Sequence, residues 1–272
     1  MKNSGNNITI PIQEISVAYN DWGNSTIPLI FIHGFPFDKS TWDEQLASLK
    51  TVCRVIAYDI RGFGKTTNNN QEVSIHLLAD DLIDFMDALQ IDKAIICGLS
   101  MGGYIVLNAI SRYQHRFAGI VLCDTQCISD TSTTREKRYA SIDLIAKEGT
   151  SNYAKAFVKN MFTTNAFEQN KPYINDIENI ILQNNSTNII NGLKALANRE
   201  ATCDILPSIK IPTLIICGKE DIVTPIEQAV YFKEHIPNAV LVLLENAAHL
   251  SNIEQPALFN KAIQEFITDL LN

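Results

Sequence analysis

The chain reads as an α/β protein: a mostly parallel, doubly wound sheet with a helical insertion. Two observations predict this. Short apolar runs alternate with stretches of helical period over most of the 272 residues, the pattern of successive βαβ units. Between about Gln126 and Thr202 that alternation stops, and helical segments follow one another without a convincing strand.

The expected strands are Glu14–Asn20, Leu29–His33, Arg54–Asp59, Lys93–Gly98, Gly119–Asp124, Thr213–Gly218 and Ala239–Glu245. Several are continuously apolar, as befits strands covered on both faces. Ser74–Leu89 sets Leu77, Leu78, Leu82, Phe85, Met86 and Leu89 at three-to-four spacing, a helix with one apolar side. Ser100–His115, Ile226–Ile236 and Pro256–Leu271 read the same way, and Pro256 suits a helix start. Inside the insertion the expected helices are Thr134–Lys147, Ser151–Phe162, Asn175–Leu182 and Ile189–Asn198. Residues 1–125 and 203–272 are therefore assigned to the core and 126–202 to a cap. Such a cap would lie over the carboxyl edge of the sheet, where open α/β sheets bind ligands.

Composition narrows the function. Hydrophobic residues are 46% and charged residues 19%, an ordinary globular balance. Lys+Arg number 22 against 30 Asp+Glu, a net charge of −8, and no basic stripe is present, so nucleic acid is not an expected partner. No apolar run approaches a membrane span, and Met1–Ile12 is polar and Asn-rich, unlike a signal peptide. A cytoplasmic setting is expected, with Cys53, Cys97, Cys123, Cys127, Cys203 and Cys217 all reduced; none forms a C-x-x-C pair.

The sharpest motif is Gly98-Leu99-Ser100-Met101-Gly102, between an apolar run and a helical pattern. In that context G-x-S-x-G describes a strained turn that lifts a serine hydroxyl clear of the sheet. Residues two before and two after must lack bulk, and the helix that follows directs its N-terminal N–H groups at the reacting centre. A serine needs a base, and the base needs a carboxylate, in the chain order Ser, Asp or Glu, His. Of the five histidines, His249 alone occupies a loop after the last apolar strand. His33, His76, His115 and His235 read as structural. Asp221 follows the strand Thr213–Gly218 and best fits the acid; Asp124 and Glu220 are rivals. An oxyanion needs two N–H donors. Met101 supplies one. Phe35, in the His33-Gly34-Phe35-Pro36 turn, supplies the other, because Pro36 has no N–H.

These pieces resemble the α/β-hydrolase family almost end to end. The matching segments are His33-Gly34-Phe35-Pro36, Asp59-Ile60-Arg61-Gly62-Phe63-Gly64, the Ser100 turn, Gly218-Lys219-Glu220-Asp221 and the His249 loop. The resemblance implies a Ser-His-Asp triad under a helical lid, and it makes Asp59–Gly64 a structural loop. Leu122-Cys123-Asp124-Thr125 and His249-Leu250-Ser251-Asn252-Ile253-Glu254-Gln255-Pro256 look like 3-oxoadipate enol-lactonases and related carboxylesterases. Cofactor-free haloperoxidases share the same motifs. The lactonases carry a tryptophan in the cap, whereas Trp22 and Trp42 both lie outside it.

The expected activity is hydrolysis of small to medium carboxylic esters, lactones included, through an acyl-enzyme. Alternatives are 3-oxoadipate enol-lactonase, perhydrolysis of the haloperoxidase type, and a non-catalytic ligand-binding relative. The expected partner is a small-molecule ester or lactone, and no metal or organic cofactor is called for. In the cap, Ala154, Phe157, Val158 and Met161 form a stripe that faces either the pocket or the cap interior. Phe157 and Met161 are therefore candidate substrate contacts. Arg135 and Arg138 are candidates for a substrate carboxylate, or ordinary exposed helix charges.

Overall fold

A computed structural model describes residues 5–69 and 71–271; residues 1–4 of the polar N-terminal stretch lie outside the described residues. Eight strands form one sheet: β1 (Gly5–Ile12), β2 (Ile15–Trp22), β3 (Leu29–Ile32), β4 (Val55–Tyr58), β5 (Ala94–Leu99), β6 (Phe117–Cys123), β7 (Thr213–Gly218) and β8 (Val240–Leu244). Their order is β1-β2-β4-β3-β5-β6-β7-β8. The β1–β2 and β2–β4 pairs are antiparallel and every later pair is parallel. β1 is an addition to the expected strands; Ile8, Ile10 and Ile12 alternate with exposed Thr9 and Pro11 along it.

The core helices are α1 (Asp43–Leu49), α2 (Ile75–Ala88) and α3 (Met101–Tyr113). α2 starts where the Ser74 side chain accepts from the Leu77 N–H at 3.1 Å, an N-cap. Register shows how helices come to cover both faces. Phe31 pairs with Ala57 and Ile32 with Tyr58, so Phe31 and Tyr58 point to opposite sides. Phe31 meets Trp42 (4.7 Å between ring centroids), and Trp42 meets Phe259. Tyr58 meets Phe85 of α2 at 4.8 Å.

Between β6 and β7 the described residues form α4 (Ser132–Glu148), α5 (Ser151–Val158), α6 (Thr164–Glu168), α7 (Pro172–Gln183) and α8 (Ser186–Ala197), with no strand among them. α9 (Ile226–His235), α10 (Ser251–Glu254) and α11 (Pro256–Leu271) complete the chain. The expected helix Ser151–Phe162 ends early, at Val158. α4 is almost wholly exposed, with Ile145 its one buried residue.

One expectation is corrected. Cys127 and Cys203 form a disulfide, whereas Cys53, Cys97, Cys123 and Cys217 are free and buried. The reason is topological. β6 and β7 are adjacent in the sheet, so the exit and return of the inserted segment meet, and two cysteines 76 residues apart come within 4.9 Å at Cα. No C-x-x-C spacing is needed when the fold closes the gap.

Candidate active site

β5 delivers Ser100 in a backbone that L residues seldom adopt, φ +53° and ψ −114°. Holding a side chain there costs on the order of 1–3 kcal/mol and persists only where the surroundings over-determine it. Here Ser100 N–H donates to the Cys123 carbonyl (2.9 Å), and Thr125 Oγ1 donates to the Ser100 carbonyl (2.7 Å). The flanking glycines are needed for close approach. A Cβ on Gly98 would stand 2.4 Å from the Gly102 carbonyl oxygen, and one on Gly102 would stand 2.4 Å from that of Ile32.

The structure brings the three expected residues together. Ser100 Oγ lies 2.9 Å from His249 Nε2, and His249 Nδ1 lies 2.8 Å from Asp221 Oδ2. Asp221 is fixed by its own turn: Oδ1 accepts from the Val223 and Thr224 N–H groups (2.8 and 3.0 Å), and Thr224 Oγ1 donates to Oδ2 at 2.8 Å. Thr224 escaped the sequence reading, although a Thr three residues after an Asp is a recognisable turn signal. Continuation of the β7–β8 ladder places the two loops side by side, through Lys219 N–H to the Leu244 carbonyl and Glu220 N–H to the Ala247 carbonyl. Burial alone would suppress charge on His249; the Asp221 carboxylate, by charge and hydrogen bond, outweighs it and raises the imidazole above its ordinary value. Asp221 is the mirror case: burial pushes it up, but His249 and Thr224 hold it below the usual carboxylate range.

The rivals are placed elsewhere. Glu220 is exposed. Asp124 is buried, and its oxygens accept from Gly218 N–H (2.8 Å) and Ser251 Oγ (2.5 Å). Its carboxyl is pushed up to about 8, first by burial and then by the Asp221 charge. The other histidines lie elsewhere: buried His33 accepts from Ile60 N–H at Nε2 (3.0 Å) and donates from Nδ1 to the Gly34 carbonyl (2.8 Å), half-buried His235 bonds the Tyr231 carbonyl, and His76 and His115 are exposed.

The His33–Pro36 turn packs directly on the serine: a Cβ on Gly34 would lie 3.3 Å from Ser100 Cβ. Above it, the Phe35 ring is enclosed by Phe63 (5.9 Å) and by Phe157 of α5 (6.1 Å). Gly192 of α8 is equally close; a Cβ there would meet the Phe35 ring at 2.6 Å. Phe157 also meets Phe37 and Tyr153. Of the expected stripe, Phe157 thus faces the turn that carries Phe35. Met161 lies past the end of α5, buried, and its carbonyl accepts from Leu250 N–H at 3.2 Å. Arg135 donates to Asn198 Oδ1 (2.8 Å). Arg138 pairs with Asp130 (2.5 Å), which Arg199 shares. Burial opposes ionisation of Asp130, but the two guanidiniums hold it below the usual range.

Asp124, Cys217 and Asp221 offer ligand atoms within 4.8 Å of one another. Each already has internal partners, Cys217 Sγ donating to the Gly218 carbonyl, so the trio is a packed network rather than an open cation cradle. Among the described residues no helix is long and apolar enough to cross a membrane.

A parallel sheet with a strained serine at the end of β5, facing a histidine and a carboxylate from later loops, defines a hydrolase-type α/β protein. The chain belongs to the α/β-hydrolase fold family, whose model matches residues 27–256. It is similar to 3-oxoadipate enol-lactonase 2 of Acinetobacter baylyi, 29% identical over 94% of each chain. Among solved structures it resembles a thermophilic esterase from Thermogutta terrifontis (TM-score 0.92, 29% identity, 97% of this chain and 98% of that one). It also resembles the enol-lactonase from Burkholderia xenovorans (TM-score 0.89, 26% identity, 96% and 100%).

Proposed function

We propose that this hydrolase-family protein cleaves small to medium carboxylic esters, lactones included, through an acyl-enzyme. The observation that carries the reading is the continuous hydrogen-bond chain Ser100–His249–Asp221. In it Ser100 attacks the acyl carbonyl as His249 takes its proton. Asp221 holds the tautomer with hydrogen on Nδ1 and stabilises the imidazolium. The N–H groups of Phe35 and Met101 bind the oxyanion, and α3 directs its positive end at the same point. The imidazolium protonates the leaving alcohol, and water then repeats the sequence on the acyl-enzyme. The test is a panel of p-nitrophenyl esters of graded acyl length together with neutral and anionic lactones. Turnover of none of them would overturn the reading.

In this reading residues 126–202 act as a cap, and Phe157 and Met161 border the acyl site. Phe157→Ala should shift the preferred acyl length by roughly 10–100-fold in kcat/KM, the ~1–3 kcal/mol scale of a lost apolar contact. An unchanged chain-length profile with a lowered Tm would assign Phe157 to packing alone. The enol-lactonase reading has one observation of its own. Two guanidiniums, Arg138 and Arg199, share the single carboxylate of Asp130 in the segment between β6 and β7, and we propose that the surplus positive charge meets the carboxylate of an acidic lactone. Hydrolysis of an anionic lactone no faster than its neutral analogue would remove it. Arg135, which donates to Asn198, is a further candidate for the lactone carboxylate.

A base raised above its ordinary value sets the pH dependence. kcat/KM should fall as pH drops, because protonated His249 cannot accept from Ser100. The midpoint should lie above the ordinary imidazole value of about 6.5. A midpoint below it would contradict the pairing with Asp221. The proposed setting is the cytoplasm, against which the Cys127–Cys203 bond weighs; cell fractionation decides it.

A further inference from the structure

The loop that carries His249 is tied on both sides of the imidazole to the segment between α5 and α6, directly on one side and through Glu254 on the other. The residue before it, Ala248, donates its N–H to Glu254 Oε2 at 2.7 Å. The other oxygen of the same carboxylate, Oε1, accepts from Thr163 N–H (3.0 Å) and from Thr163 Oγ1 (2.8 Å). The residue after it, Leu250, donates its N–H to the Met161 carbonyl. Thr163 and Met161 belong to the segment between α5 and α6. Three donors thus converge on one carboxylate, which an ionised Glu can accept on its two oxygens. The neighbouring residues of α10 bind the core instead: Ser251 donates to Asp124, and the Asn252 carbonyl accepts from Gln45 Nε2. The short helix α10 therefore bonds both to the core and to the inserted segment, with His249 beside the joint.

We propose that Glu254 is a positioning residue that couples seating of the inserted helices to placement of His249, so that cap docking and alignment of the base are one event. The proposal rests on His249 being the base for Ser100. Glu254 touches neither substrate nor serine; it acts through the Ala248 peptide. Its carboxylate is also the feature that a neutral isostere cannot reproduce. The amide of a Gln has one acceptor oxygen and a donor NH2 in place of the second oxygen, so either Ala248 or Thr163 would face an N–H.

The test compares Glu254→Gln and Thr163→Val with the full-length wild-type chain, using kcat and KM on p-nitrophenyl acetate and the rate at which a fluorophosphonate labels Ser100. Misalignment of the base predicts that Glu254→Gln lowers kcat and the labelling rate by about 10–100-fold, the scale of a small displacement at a reacting centre. KM should change by less than about threefold. Thr163→Val, which keeps its N–H bond to Glu254, should move both rates in the same direction by a smaller factor. The double variant should be no slower in kcat and labelling than Glu254→Gln alone, because both changes cut the Glu254–Thr163 connection; loss of the Thr163 cap on the Ala166 N–H is read separately, as Tm. A Glu254→Gln protein with wild-type kcat and labelling rate, or with a lowered Tm as its sole change, would overturn the proposal. So would strict multiplication of the two effects in the double variant. If the wild type itself fails to label at Ser100, the underlying assignment of serine and base falls, and this coupling with it.

Discussion

Replacing Ser100 by alanine should lower kcat by ~10³-fold or more and leave the fold intact. The hydroxyl is the one group at the end of β5 that can form a covalent bond to an acyl carbon, and it sits 2.9 Å from His249 Nε2. In the proposed mechanism what would survive is the polarisation of the carbonyl by the Phe35 and Met101 N–H groups, enough for a small residual rate over water. The fold should survive because nothing that shapes the turn depends on Oγ. The Ser100 N–H is bonded to Cys123, its carbonyl to Thr125, and the glycines at 98 and 102 make the close approach. Circular dichroism and Tm should match the wild type. A fluorophosphonate should label the wild type at Ser100 and leave the variant unlabelled. Near-normal turnover by the variant, or labelling at another residue, would remove Ser100 from the mechanism.

The site was readable where chemistry demands a particular residue at a particular point of the chain. Bulk is forbidden at Gly98 and Gly102 because backbone carbonyls lie where a Cβ would go, and that prohibition is written in the sequence as G-x-S-x-G. The apolar runs that became β3 to β7 were legible for a similar reason: strands covered on both faces admit few polar residues. Other features depend on distance in space. β1 is an edge strand whose outward residues, such as Asn7 and Thr9, are free to be polar, so Ile8, Ile10 and Ile12 were the one signal it gave. The Cys127–Cys203 bond exists because β6 lies beside β7, a fact of topology that no spacing rule contains. The link from Glu254 to Thr163 crosses 91 residues of sequence, and a glutamate following a histidine by five positions announces no partner. The end of α5 at Val158 likewise follows from contacts made beyond it, with the Met161 carbonyl engaged by Leu250 and Thr163 capping α6 through the Ala166 N–H.

The two buried aspartates offer the sharpest test of how charge is arranged around His249. Asp221→Asn should lower kcat by on the order of 10³–10⁴, whereas Asp124→Asn should cost at most about tenfold. Asp221 Oδ2 accepts from His249 Nδ1, so an amide there either turns an N–H toward the imidazole or turns one toward the Val223 and Thr224 N–H groups that Oδ1 now accepts from. In the first case the imidazole adopts the wrong tautomer and Nε2 can no longer accept from Ser100. Either outcome also removes the negative charge that balances a buried imidazolium. The acid limb of the pH profile should then move down, since the group that raised His249 is gone. Asp124 is a different case. Its carboxyl is pushed up to about 8 by burial and by the Asp221 charge, both of which favour the neutral form, so a neutral amide of the same shape should change little. An asparagine oxygen can still accept from Gly218 N–H, and its amino group can donate to Ser251 Oγ in place of accepting from it. The comparison is made at pH 7 with Tm recorded for both variants, so that loss of folded protein is separated from loss of rate. Reversal of the two effects would make Asp124 the partner of His249 and would leave Asp221 as a residue that merely closes the Val223–Thr224 turn.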